Sequence, residues 1–72
     1  MEFPNEFMAD IQKALSKKRV LRLSYYSSGK QERTQRSVEP IGIVFYSGRW
    51  HLIAWCRLRN GYRDFRTDMI QM

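Results

Sequence analysis

Arg49-Trp50-His51-Leu52-Ile53-Ala54-Trp55-Cys56-Arg57-Leu58-Arg59-Asn60-Gly61-Tyr62-Arg63-Asp64-Phe65-Arg66-Thr67 is the stretch that decides the fold. Asn-Gly between two runs of alternating side chains is the strongest short-range hairpin signal. It predicts a strand over 49–59, a two-residue turn at Asn60-Gly61 and a closing strand over 62–67. A turn of that length sets Arg57 opposite Asp64, Cys56 opposite Phe65 and Trp55 opposite Arg66. Alternation then gives a core face of Trp50, Leu52, Ala54, Cys56, Leu58 and Phe65. The other face carries His51, Ile53, Trp55, Arg57, Arg59, Tyr62, Asp64 and Arg66.

Upstream of this hairpin, Leu21, Leu23 and Tyr25 alternate with Arg22 and Ser24, which reads as a strand. Ser27-Ser28-Gly29-Lys30 marks a turn. The stretch 32–46 is extended but broken by Pro40 and Gly42, so it is either one sharply bent strand or two strands with a corner. Ser47-Gly48 is the next turn. Before the strands, Phe7, Met8, Ile11, Ala14 and Leu15 recur at helical spacing and predict a helix over about 5–17, with Pro4 and Asn5 as start signals. Glu6 and Asp10 near its start and Lys13, Lys17 and Lys18 near its end suit the helix dipole. The expected class is α+β, mostly β: a helix, then a bent antiparallel sheet of four or five strands curling into a small barrel over about 19–70.

A chain of 72 residues is one domain, 1–72, with room for only a small core. Two Trp, four Tyr and four Phe supply much of its bulk, and a net charge of +6 favours anionic partners. The lone cysteine, Cys56, excludes an intrachain disulfide and reads as a core residue. One Cys and one His do not complete a four-ligand metal site, and no motif calls for a cofactor. No apolar run reaches membrane-spanning length, and the acidic start does not resemble a signal peptide, so a cytoplasmic setting without membrane contact is expected.

The second face of the hairpin is the candidate site. Arginine forks match phosphates and aromatic faces stack on bases, so Trp55, Tyr62, His51, Arg57 and Arg66 suit a single-stranded nucleic acid or a nucleotide. The same residues also fit plain cross-strand stabilisation, with Arg57 paired to Asp64 and Arg66 lying on Trp55. Arg36, on the long strand, either extends the basic surface or is tied to Glu39 or Asp68. His51 is open between ligand contact, core and surface. The carboxylates of the sheet region alternate with arginines, and no nucleophile–base pair or phosphate loop is present, so an enzyme is not expected.

The segment from Gly48 to Arg59 resembles the signature of WYL domains, which are named for a Trp-Tyr-Leu tripeptide, here Trp50-His51-Leu52. Leu21-x-Leu23-x-Tyr25 is similar to the family's first strand. Arg36-Ser37-Val38-Glu39-Pro40-Ile41-Gly42 is similar to its Arg-x-Val-x-Pro-x-Gly segment, and the stretch from Arg63 to Ile70 to its ending. Two positions depart: His51 stands for the central Tyr, and Met69 for a customary Arg. The resemblance implies an Sm-like or SH3-like barrel after a helix, and a sensor role in bacterial regulators behind a helix-turn-helix module. It implies ligand contact at Arg36, His51, Arg57, Arg63 and Arg66, with nucleic-acid fragments or nucleotide-like effectors as ligands. A single helix is too little for a helix-turn-helix within these residues. The alternatives are a module that dimerises the regulator through Trp55, Ile53 and Tyr62, and a ring-forming Sm-like RNA chaperone.

Overall fold

A computed structural model describes residues 7–72. Helix α1 (Met8–Ser16) precedes strands β1 (Leu21–Ser27), β2 (Glu32–Tyr46), β3 (Arg49–Cys56) and β4 (Gly61–Arg66). A 3-10 turn (Thr67–Met69) then leads into β5 (Ile70–Gln71). All neighbouring strands are antiparallel, in the order β4-β3-β2-β1-β5. The α+β, mostly β class expected from the sequence is the class observed. The start signals Pro4 and Asn5, and the acidic Glu6, lie outside the described residues.

The apolar stripe of α1 buries Met8, Ile11 and Ala14. These join Leu23, Val38, Leu52, Ala54, Cys56, Phe65 and Ile70 in one core, with Ala14 at its edge. Each large apolar side chain removed from water there contributes about 1.5–3 kcal/mol. The helix ends in a Schellman motif: the Arg19 N–H donates to the Ala14 carbonyl (2.9 Å) and the Lys18 N–H to the Leu15 carbonyl (3.3 Å). The left-handed position of that motif usually belongs to glycine, and here Lys18 occupies it with φ 54°.

Strand β2 is a single strand with a bulge. Pro40 pairs with Ala54 and Gly42 with Ile53, so Ile41 is the extra residue. The bulge switches the inward parity. Arg36 and Val38 point inward before it, and Ile43 packs on the core after it. β1 covers β2 only as far as Val38, so Pro40 lies where one flank of the strand is already unpaired. The two edge strands, β4 and β5, follow each other through a three-residue turn, which requires the sheet to curl strongly.

The final hairpin differs in register from the sequence expectation. Its loop has four residues, 57–60, and Cys56 pairs with Gly61. Trp55 therefore faces Tyr62 rather than Arg66, and His51 faces Arg66. Asn60 alone takes the left-handed conformation (φ 52°), while Gly61 enters the ladder. The tight two-residue turn is at Ser47-Gly48, where both residues have positive φ (51° and 75°), as a type I′ turn demands. The slip is even-numbered, so each strand keeps its predicted faces. Only the residues past Cys56 change place. Leu58, expected in the core, is 56% exposed in the turn.

Candidate functional site

The outer face of β2, β3 and β4 carries two side-chain clusters. The first surrounds the row Glu39, Trp55 and Tyr62, which the register aligns across the three strands. Trp55 meets Tyr62 edge to face, with ring centroids 5.0 Å apart and planes at 82°. Arg57, the first residue of the turn, is fixed by its backbone N–H to the Ser37 carbonyl (3.0 Å) and donates from Nε to the Glu39 carboxylate (3.1 Å). Lys18 and Arg19, delivered by the helix end, complete a cleft of about 610 Å³ with these residues. That volume is within the range of small-ligand sites, about 300–1,000 Å³.

The second cluster lies at the far end of the same face. His51 Nδ1 lies 2.7 Å from the Asp64 carboxylate, and its ring stacks on Tyr46 at 3.9 Å. The Tyr46 hydroxyl also donates to Asp64, and that bond holds the phenol above its ordinary pKa. His51 is buried, and its Nε2 has no hydrogen-bond partner among the described residues. Arg66 donates twice to Asp68, from Nε (3.1 Å) and Nη2 (2.8 Å). These bonds hold the Asp68 carboxyl below the usual carboxylate range against the opposing push of burial, helped by Arg49 at 3.8 Å.

Of the residues singled out by sequence, Trp55, Tyr62 and Arg57 are brought together in the cleft. His51 and Arg66 share the face but sit in the second cluster. Arg63 belongs to the opposite face of β4, as alternation expected, and is exposed there. Arg36 points inward and is 7% exposed. Its Nε donates to Thr34 Oγ1 (3.1 Å) and its Nη1 approaches Cys56 Sγ (3.7 Å), beneath the Tyr25 and Phe65 rings. It therefore pairs with neither Glu39 nor Asp68. Burial pushes the Cys56 thiol up, but the Arg59 and Leu58 N–H groups and Arg36 outweigh it and hold the thiol below its ordinary value.

The expected pairs Arg57–Asp64 and Arg66–Trp55 are replaced by Arg57–Glu39 and Arg66–Asp68. The four-residue slip of the hairpin is the cause. Sequence reading missed Lys18, Arg19 and Glu39 as cleft residues. Lys18 has a sufficient local explanation at the helix end, and only the tertiary fold sets it beside Arg57. Among the described residues no group of three or more His, Cys, Asp or Glu side chains is placed to hold a metal. No helix among them is long and apolar enough to cross a membrane.

The fold is thus a curled five-stranded sheet capped by one helix, with a charged and aromatic outer face. The WYL domain family model matches residues 6–72, and the chain belongs to that family. The chain is 36% identical over 62 residues to the protein PafC of Mycobacterium tuberculosis, an alignment covering 86% of this chain and 20% of that protein. It is 30% identical over 65 residues to the DNA-binding transcriptional repressor CapW of Escherichia coli, covering 90% of this chain and 22% of the repressor. The proteasome accessory factor B/C (PafBC) of Arthrobacter aurescens has a similar structure, with a TM-score of 0.83 and 34% identity over 90% of this chain and 10% of that one. The chain thus spans about a fifth of the length of the curated relatives it matches. It is a domain of the kind found in bacterial transcription regulators.

Proposed function

We propose that this domain is the non-catalytic, ligand-sensing part of a cytoplasmic bacterial transcription regulator. Its ligand is single-stranded nucleic acid or a nucleotide-like effector, bound on an Sm-like or SH3-like curled sheet. The observation that carries this reading is the junction of Trp55 and Tyr62 with Arg57, Lys18 and Arg19 in one cleft. Rings for stacking beside cations for phosphate are what sequence-tolerant recognition of a single strand requires. Arg66 and His51 extend the same face, whereas Arg63 lies on the opposite face of β4 and Arg36 points inward, so neither belongs to the proposed surface. In the longer regulator a helix-turn-helix module reads DNA, and this domain biases that module according to ligand.

A fluorescence titration with short single-stranded DNA and RNA at two salt concentrations tests the reading. Saturable binding that weakens with salt is expected, because neutralising phosphates releases counterions. Arg57→Ala weakens it strongly. Arg66→Ala weakens it less, because that guanidinium is already committed to Asp68. Absence of oligonucleotide binding at low salt refutes the single-strand form of the proposal. The second reading, a dimerisation module, is favoured by exposed Ile41, Val44, Phe45, Tyr46 and Tyr62. A tight dimer in sedimentation that binds no oligonucleotide or nucleotide selects it.

A further inference from the structure

Three cations and one carboxylate line the cleft described above, and only Arg57 is paired with the carboxylate. Lys18 and Arg19 enter from the helix end and Arg57 from the hairpin turn, and Glu39 lies among them. Lys18 and Arg19 have no carboxylate partner among the described residues, which leaves two positive charges over. An internal phosphodiester carries one negative charge, whereas a terminal phosphomonoester carries about 1.5–2 at neutral pH. The surplus therefore fits a chain end or a free nucleotide better than the middle of a strand.

The shape agrees with the charge. A cleft of about 610 Å³ has the size of a small-ligand pocket rather than of a long backbone track. Trp55 and Tyr62 touch edge to face, so no slot opens between them. Tyr62, 67% exposed, offers a free ring face to a single base.

We infer that this cleft binds a nucleoside phosphomonoester, with Glu39 as the internal anion that the phosphate displaces from Arg57. The inference rests on the nucleic-acid reading above and narrows it from strands to phosphorylated ends. Glu39 and Arg57 are each about half exposed, so their pair opens at little cost. The carboxylate then acts as a specificity-determining residue: it repels weakly charged ligands and yields to a dianion.

The test titrates the domain with a short oligothymidylate bearing either a 5′ phosphate, a 3′ phosphate or none, and with adenosine and its monophosphate. A phosphorylated end is expected to bind about tenfold tighter than the unphosphorylated strand. That preference disappears in Lys18→Ala/Arg19→Ala and in Arg57→Ala, with folding checked by circular dichroism. Glu39→Gln tightens both strands and narrows the gap between them. Equal binding of all strands overturns the phosphomonoester site while leaving the single-strand reading intact. Binding of the monophosphate without any strand retains the site and refutes the single-strand reading. No binding of any probe refutes both, and a Glu39→Gln variant that binds like the original removes the role of Glu39.

Discussion

Replacing Lys18 by glycine should make the domain more stable and its cleft weaker. Lys18 is the left-handed residue of the motif that closes α1. That conformation costs an L-residue about 1–2 kcal/mol. Glycine adopts it freely but loses more chain entropy on folding, about 0.5–1 kcal/mol. The side chain of Lys18 is exposed, so little else is lost. The net gain is about 0.5–1 kcal/mol, equivalent to roughly 3–6 °C in melting temperature for a domain of this size. Thermal and urea unfolding followed by circular dichroism measure it, with Lys18→Ala as the control that removes the charge but keeps the strain. Both variants should lose about one unit of salt slope in titrations with single strands. A glycine variant no more stable than the alanine variant would refute the claim that backbone strain is held at this cationic position.

Leu58→Ser should change stability by less than about 0.5 kcal/mol in urea unfolding, since the side chain is exposed in the turn. A loss above 2 kcal/mol would restore the core position that a two-residue turn implied. Arg36→Met should be neutral or stabilising, because it removes a buried cation that has no carboxylate partner among the described residues. A drop in denaturation midpoint of the size of a lost ion pair would contradict that account. Asp68 has a depressed carboxyl pKa in the folded state, so its contribution is full above the ordinary carboxylate value near 4 and is lost as pH falls through the lower folded value. Its pair with Arg66 is half exposed, which limits the effect to less than about 1 kcal/mol. Asp68→Asn should therefore lower stability at neutral pH by up to about 1 kcal/mol, leave it nearly unchanged at acid pH, and so flatten the acid limb of the stability–pH curve measured by urea unfolding.

The legible part of this fold was the part governed by local periodicity. The stripe on α1, the parity of β1 and β3, and the break at Pro40 and Gly42 each follow from the chain's own geometry. The hairpin register was not legible. Asn60-Gly61 and Ser47-Gly48 both read as tight turns, and only pairing with β2, including the Arg57 N–H to the Ser37 carbonyl, lengthens the first loop to four residues. Half of the site was not legible for a different reason, its dependence on tertiary packing. Trp55 and Arg57 were readable as an aromatic and a cation on one face. Glu39, Lys18 and Arg19 lie about 20–40 residues away in sequence, and no local pattern connects them. The resemblance to WYL domains located the signature segment, but Arg36 shows why a motif position is not yet a surface position: the same strand that exposes Glu39 turns Arg36 inward.

The even slip of the last hairpin has a consequence for how this domain tolerates insertions and deletions. Side chains alternate along β3 and β4, so a change of two residues in the 57–60 loop either keeps the register or shifts it by two, and in both cases leaves Leu52, Ala54 and Phe65 on the inner side. A change of one residue that is not absorbed within the loop presents Phe65 to water and draws Asp64 inward. Loop length in this hairpin is thereby sorted by parity. Even shifts slide Tyr62 and Arg66 along a standing Trp55, whereas odd shifts turn the core side of β4 outward.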